Sequence, residues 1–401
     1  MTNSPRVILA YSGGLDTSVA IPWIKERFGL DVVTLTLELG QGRDLEEARQ
    51  KALKSGAVGA HIADVREEFV TEFVWPALRA GALYEGKYPL ATALSRPLIA
   101  QQLADLAITE EATAVAHGCT GKGNDQVRLE LGILALAPDL KVIAPAREWG
   151  MSREDEIEYA KARGISTPVS VENPYSVDEN LWGRSIEAGR LEDPLLEPPE
   201  EIYAWTKSVN ETPNNPTYME IELREGVPSA IDGNPMDGVP IIERLNELAG
   251  LNGVGRIDHL ENRLVGIKSR EIYEAPAAVV LNICHRALEE LTLTKDQHRF
   301  KELVSGHYSD LVYNGLWFTK HREDLDQYVS SSQRFVTGMV RVKLHKGTCS
   351  VVGRSSPYSL YSYEQATYDK SDQFDHRASE GFIKIYGLPT ATQAKFQPPS
   401  S

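Results

Sequence analysis

The first 165 residues or so alternate short β-rich runs with amphipathic stretches, and this alternation leaves few architectures open. Arg6-Val-Ile-Leu-Ala10 reads as a buried strand and 31–39 (DVVTLTLEL) as a second strand. A Gly-Gly turn follows the first, then a helix with Val19, Trp23 and Ile24 on one side; Pro22 inside it removes a ladder bond and predicts a bend. Asp44 opens a second helix as N-cap, with Glu47 three residues on. Strand 61–65, a helix to about Ala80, a helix from about Thr92, strand 113–116, helix 125–135, strand 141–145 and helix 152–163 complete the series. Such repetition predicts an α/β fold with a doubly wound, mainly parallel sheet that binds ligands at the carboxyl ends of its strands.

The texture then changes. Residues 193–240 are rich in Pro, Glu, Asn and Gly and read as loops around one alternating strand, 218–224 (YMEIELR). A helix over 275–293 and a hairpin of 336–342 with 348–354 around His345-Lys346-Gly347 imply a second, α+β domain. Boundaries are expected at 1–165, 166–385 and 386–401, the last dozen residues frayed or used in subunit contact.

Composition excludes several classes. Three scattered cysteines, Cys119, Cys284 and Cys349, make neither a disulfide framework nor a zinc site, and no metal-ligand cluster is expected. A net charge of −15 with no Lys/Arg block speaks against nucleic acid, whose binders rely on phosphate neutralisation. No run approaches the roughly 20 apolar residues that span a bilayer, and the first residues show no secretory pattern. The expectation is a cytoplasmic protein without membrane or nucleic-acid partners.

The most informative segment is Ala10-Tyr11-Ser12-Gly13-Gly14-Leu15-Asp16-Thr17-Ser18, where the first strand meets the first helix. Two glycines let the backbone turn its N–H groups toward an anion, and the helix N-terminus adds its dipole. Ser12, Thr17 and Ser18 add hydroxyls, and Asp16 is placed to hold Mg²⁺ on phosphates. The Walker lysine and the G-x-G-x-x-G fingerprint are both absent. What remains resembles the SGGxDS/T loop of the ATP pyrophosphatase superfamily. That likeness implies a grip on pyrophosphate, with attack at the α-phosphorus and AMP as leaving group.

A second polar glycine loop, His117-Gly118-Cys119-Thr120-Gly121-Lys122-Gly123-Asn124-Asp125-Gln126-Val127-Arg128, leaves strand 113–116 on the same carboxyl edge. Zwitterionic amino acids need such mixed charge, a donor fork for a carboxylate and a carboxylate for an ammonium. Here the chain resembles argininosuccinate synthases. HGxTGKGNDQVR and AYSGGLDTS fit that family, as do the stretches 88–97 (YPLATALSRP), 172–182 (ENPYSVDENLW), 185–189, 261–263, 268–274 and 380–382, over nearly the whole chain.

The resemblance implies a doubly wound parallel-sheet nucleotide-binding domain, a second α+β synthetase domain and a C-terminal tail. It implies an ATP site at Ala10, Tyr11, Ser12, Gly13, Gly14, Leu15, Asp16, Thr17 and Ser18, with Leu37 and Gly118. Aspartate would meet Thr120, Asn124 and Asp125. Citrulline would meet Tyr88, Thr92, Asn124, Arg128, Ser176, Ser185, Glu261 and Tyr273. Several relatives carry Ser where this chain has Ala93, which puts one citrulline contact in doubt. Asp16 and Asp125 are the candidate catalytic carboxylates, and no protein nucleophile is required. The implied reaction consumes ATP with Mg²⁺, citrulline and aspartate, through a citrullyl-adenylate, in a homotetramer serving arginine biosynthesis. Another adenylating enzyme of the superfamily, amidotransferase-like or tRNA-modifying, and a non-catalytic nucleotide sensor are the alternative readings.

Overall fold

Burial dictates the first sheet. Arg6–Ala10 (β1) and Asp31–Glu38 (β2) are buried along most of their length, and they pair in parallel. Gly59–Asp64 (β3), Ala114–Ala116 (β4) and Lys141–Ile143 (β5) extend the sheet in the order β3-β2-β1-β4-β5, all parallel. The order reverses between β1 and β4. That is the switch point at which doubly wound sheets open a crevice, so the loops leaving β1 and β4 stand side by side. This computed structural model describes residues 4–42, 44–165 and 174–397. Residues 172 and 173 of the 172–182 stretch, the start of the expected second domain and the end of the tail lie outside the described residues.

The helices follow their caps. Asp44 accepts a hydrogen bond from the Glu47 N–H and starts Leu45–Lys54, and Ser152 with Asp155 forms a reciprocal capping box ahead of Arg153–Ala162. Helix Leu15–Phe28 runs on through Pro22. Strand β5 stops at Ile143, short of the expected 145, because Pro145 has no N–H for a ladder and instead opens the short helix Pro145–Glu148. The helical run toward Ala80 contains a π-helical segment, Phe69–Val74, ahead of Trp75–Ala80.

Two antiparallel sheets follow. Their strands in chain order are Ser176–Asn180 (β6), Gly183–Glu187 (β7), Thr217–Arg224 (β8), Val227–Ile231 (β9), Asn234–Pro235 (β10), Arg256–Asn262 (β11), Lys268–Glu274 (β12), Gly338–His345 (β13) and Thr348–Ser355 (β14). One sheet runs β11-β12-β7-β6 and the other β10-β9-β8-β13-β14. The stretch 193–240 thus holds β8, β9 and β10 rather than one strand. Glu225-Gly226 and Asp232-Gly233 all take positive φ, the two-residue turn that matches strand twist, and fold the chain back twice. Lys346-Gly347 makes the same turn in the expected β13–β14 hairpin.

One apolar core joins the halves. It passes from Ile8, Val33 and Val115 through Leu94 and Leu98 of helix Ala91–Thr109 to Ile221, Tyr273 and Leu281. Helix Asp125–Leu136 lies close on Ala91–Thr109: a Cβ at Gly132 would stand 2.7 Å from that of Ala100. The Trp182 indole N–H donates to the Pro89 carbonyl and Asn180 Nδ2 to that of Ala91, tying the β6–β7 turn to the start of the same helix.

The segment from 359 onward forms its own unit, with helices Tyr363–Ala366, Ala378–Tyr386 and Leu388–Phe396. Helix Leu388–Phe396 takes up the described part of the stretch expected to be frayed or used in subunit contact. Pro389 sits in the first turn of the last helix, where its missing N–H costs no ladder bond.

Candidate active site

The loop after β1 is built to present backbone donors. Gly13 takes φ +75°, and Gly14 caps the helix without a side-chain bond to its first turn. The Gly14 N–H donates to Ser12 Oγ at 3.3 Å, and the helix N-terminus that starts here is the kind of backbone end that binds anions. Side chains brace the loop from behind. Ser18 Oγ donates to the Gly14 carbonyl at 2.7 Å and pairs with the Tyr11 hydroxyl at 2.9 Å, while Ser12 and Thr17 hydroxyls stand 3.2 Å apart. Lys51 Nζ donates to the Gly13 carbonyl at 2.6 Å, and burial lowers its pKa. No motif pointed to Lys51; only the packing of helix Leu45–Lys54 beside the loop brings it there.

Asp16 lies in the first turn of helix Leu15–Phe28, and the Glu156 carboxyl hydrogen-bonds to it. Burial and then the Asp16 charge push Glu156 up to about 8, since two adjacent carboxyls resist ionising together.

The loop after β4 meets the first one. A Cβ on Gly118 would stand 2.9 Å from Thr17 Cγ2 and 3.8 Å from Asp16 Cβ, so the contact depends on glycine. His117, buried, accepts from the Cys119 N–H at Nδ1 and pairs through Nε2 with Glu130, which clamps the turn. Burial pushes the Cys119 thiol up to about 12, so it stays protonated.

A cavity of about 590 Å³ opens over both loops. Ala10, Tyr11, Ser12, Gly14, Leu15, Asp16, Thr17, Leu37 and Gly118 line it, together with Ser176. Gly13 and Ser18 are not part of this lining: Gly13 is half-buried, and Ser18 is fully buried with its hydroxyl spent on the loop. Arg96 and Asp178, which the sequence left without a role, also face this cavity.

A narrower cavity adjoins it across Asp178. It gathers Tyr88, Thr92, Asn124, Asp125, Arg128, Ser185, Glu261 and Tyr273 from both halves of the chain. Thr120 is exposed and lines neither cavity, and Ala93 is fully buried in the core. Strand register does part of the gathering: Tyr273 of β12, Ser185 of β7 and Asp178 of β6 are opposite one another across three strands.

The electrostatics are ordered by direct contacts. Glu261 is buried and accepts one tyrosine hydroxyl on each oxygen, Tyr273 on Oε2 and Tyr313 on Oε1, both at 2.7 Å. Arg128 is 3% exposed; its Nε donates to the Tyr313 carbonyl at 2.8 Å and its Nη1 to Asp125 at 3.1 Å. Its Nη2 has no partner among the described residues. Burial raises the Asp125 carboxyl, but Arg96, at 2.7 Å, and Arg128 outweigh it and hold the group at about 2. Arg96 also contacts Asp178. Burial, then Glu187 and Glu261, push Glu271 up to about 8 against the pull of Arg263. The Tyr88 ring stacks on Tyr273 at 4.3 Å, and its hydroxyl pairs with that of Thr92 at 2.6 Å. Asn124 spends its amide on the Tyr313 hydroxyl and the Leu264 N–H.

Such a site suits a nucleotide beside a zwitterion. Residues 6–166 match the family model of the arginosuccinate synthase N-terminal HUP domain, and residues 175–393 match that of the C-terminal domain. An argininosuccinate synthase of Dehalococcoides mccartyi is 58% identical over 98% of this chain and 97% of its own length. One from Gloeobacter violaceus is 59% identical over 97% of this chain and 98% of its own, and one from Symbiobacterium thermophilum 57% over 98% of each. With both halves matched and relatives this similar along nearly its whole length, the chain belongs to the argininosuccinate synthase family of ATP-dependent ligases.

Proposed function

We propose that this enzyme adenylates the ureido oxygen of citrulline and then joins the activated carbon to the amino group of aspartate, releasing pyrophosphate, AMP and argininosuccinate. The observation that carries this reading is the buried Arg128 Nη2 without a partner, in the same narrow cavity as Glu261. A guanidinium edge and a carboxylate in one cavity fit the α-carboxylate and α-ammonium of an amino acid, and leaving either charge unanswered would be costly. With those ends held, the side chain of citrulline extends past Asp178 toward the nucleotide.

The residues then divide the work by position. Amides of the Gly13-Gly14 loop and the helix dipole take the pyrophosphate, so the α-phosphorus faces the adjoining cavity. Arg96, at the boundary of the two cavities, is the buried cation placed nearest the reacting centre. Aspartate enters beside Asp125 and Asn124. Most of the rate comes from holding three reactants in register, with no covalent step on the protein.

Asp16 and Glu156 supply two adjacent carboxyls at the phosphate loop, a fit for Mg²⁺, which takes hard oxygen donors. Among the described residues no set of three or more His, Cys, Asp or Glu is placed to hold a metal, so phosphate oxygens and water would complete the coordination. Mg²⁺ bound there would offset the charge that builds on the leaving pyrophosphate. The reading extends to a cytoplasmic homotetramer with a nucleotide-binding domain over 1–165 and a synthetase domain over 166–385. No helix of the described residues is long and apolar enough to cross a membrane.

The test is to supply purified protein with Mg-ATP, citrulline and aspartate and to identify the products. AMP, pyrophosphate and argininosuccinate are expected, with both amino acids required and no stimulation by RNA. ADP and orthophosphate as primary products would refute the assignment.

A further inference from the structure

Tyr313 ends helix Lys295–Tyr313, and no motif in the sequence singles it out. Yet every polar atom of it that bonds to a side chain leads into the narrow cavity. Its hydroxyl donates to Glu261 at 2.7 Å and accepts from Asn124 Nδ2 at 2.8 Å. Its carbonyl takes the Arg128 Nε proton at 2.8 Å, and the Arg128 guanidinium lies over its ring, 4.7 Å from the centroid. The other ring contacts are Tyr84, stacked at 3.5 Å and nearly parallel, and the edge of Tyr88 at 6.5 Å. The side chain is 1% exposed.

We propose that Tyr313 is a positioning residue for the amino-acid substrate, fixing through its hydroxyl the carboxylate that receives the α-ammonium and through its carbonyl the guanidinium that receives the α-carboxylate. This rests on the reading that the cavity binds citrulline. Two donors on opposite oxygens hold the plane of the Glu261 carboxylate, Tyr273 from one side and Tyr313 from the other. Burial, then the Glu261 charge, push the Tyr313 phenol up, so it remains a donor across the working pH range. With Tyr313 gone from that pair, one oxygen loses its donor and the Asn124 amide loses its acceptor. A carboxylate held at one end turns about its terminal bond, whose preference is broad.

Tyr313→Phe isolates the hydroxyl, because the ring stack and the carbonyl bond to Arg128 remain. Steady-state kinetics should show a citrulline KM raised about tenfold or more, with the KM for ATP within about twofold of wild type, a smaller rise for aspartate through Asn124, and the melting midpoint within about 3 °C. In a Glu261→Gln background the same change should add less than about threefold, since the hydroxyl acts through that carboxylate. An unchanged citrulline KM overturns the proposal, and so does an equal loss for all three substrates with a lowered midpoint, which marks a merely structural tyrosine. The wild-type assay separates the two ideas. If wild type makes argininosuccinate and Tyr313→Phe keeps its citrulline KM, only the role of Tyr313 falls; if wild type makes none, the reading of the cavity falls with it.

Discussion

Arg128 donates to the Asp125 carboxylate from the next turn of the same helix, Nη1 to Oδ1 at 3.1 Å. Arg96 donates to the other oxygen from helix Ala91–Thr109. The residue that the family pattern gives to aspartate therefore also orients the residue it gives to citrulline, and the two half-reactions share a support.

Asp125→Asn should consequently damage both steps. Positional isotope exchange in ATP labelled at the α–β bridge, run with citrulline and without aspartate, reports the first step alone. That exchange should slow by about tenfold and product formation should fall further, since a lost charge-assisted hydrogen bond costs roughly 1.5–3 kcal/mol. Exchange at the wild-type rate would confine Asp125 to the second step.

Arg128→Lys keeps the charge and discards the fork. An ammonium cannot hold the Tyr313 carbonyl, Asp125 and a substrate carboxylate in one plane. The citrulline KM should rise by roughly 10- to 100-fold while the ATP KM holds. A variant with wild-type citrulline KM and only a lowered melting point would make Arg128 a helix brace.

Gly118→Ala places a methyl 2.9 Å from Thr17 Cγ2, where one loop must move away from the other. The global fold should survive, with a loss of about 1–3 kcal/mol in stability. The catalytic loss should be larger than that shift suggests, because the displaced loop carries Asp16 and Thr17. Normal kcat/KM for ATP in a folded Gly118→Ala protein would show that the contact between the loops is dispensable.

Glu271 offers a test by pH. Its carboxyl, near 8 in the folded chain, lies above its unfolded value of about 4.3. At pH 7 folding therefore takes up a proton, and stability falls as pH rises from about 4.5 to about 8, then levels. Glu271→Gln mimics the protonated group and removes the slope. Relative to wild type it should gain on the order of 3 kcal/mol between pH 5 and pH 9, read from urea midpoints. Parallel pH curves for the two proteins would place Glu271 among ordinary ionised carboxylates.

The parallel sheet was legible because its strands carry a plain apolar signal: RVILA is a short apolar run, and in DVVTLTLE Val33, Leu35 and Leu37 recur at every second position. The sheet β11-β12-β7-β6 was not. SVDEN and GRSIE turn polar side chains toward a cavity rather than a core, so the period-two apolar signal is missing where the function is densest. Asp232-Gly233 was a readable turn that the Pro- and Glu-rich surroundings obscured. At the site, the candidates came from contiguous motifs, and eight of the candidate substrate residues line one cavity. Lys51 and Tyr313 escaped because each comes from a helix with no motif and contributes through a backbone carbonyl or a shared hydroxyl.

The bonds from Trp182 and Asn180 to Pro89 and Ala91 bear on how such a chain can be recombined. They sew the strand pair β6–β7 to the helix that carries Thr92 and Arg96, so neither half owns its share of the narrow cavity. A chimaera that exchanged residues 6–166 for those of a distant relative would inherit an intact phosphate loop but a mismatched seam. Crossovers that keep 88–96 and 180–185 from one parent should preserve specificity, even where the parallel sheet comes from another.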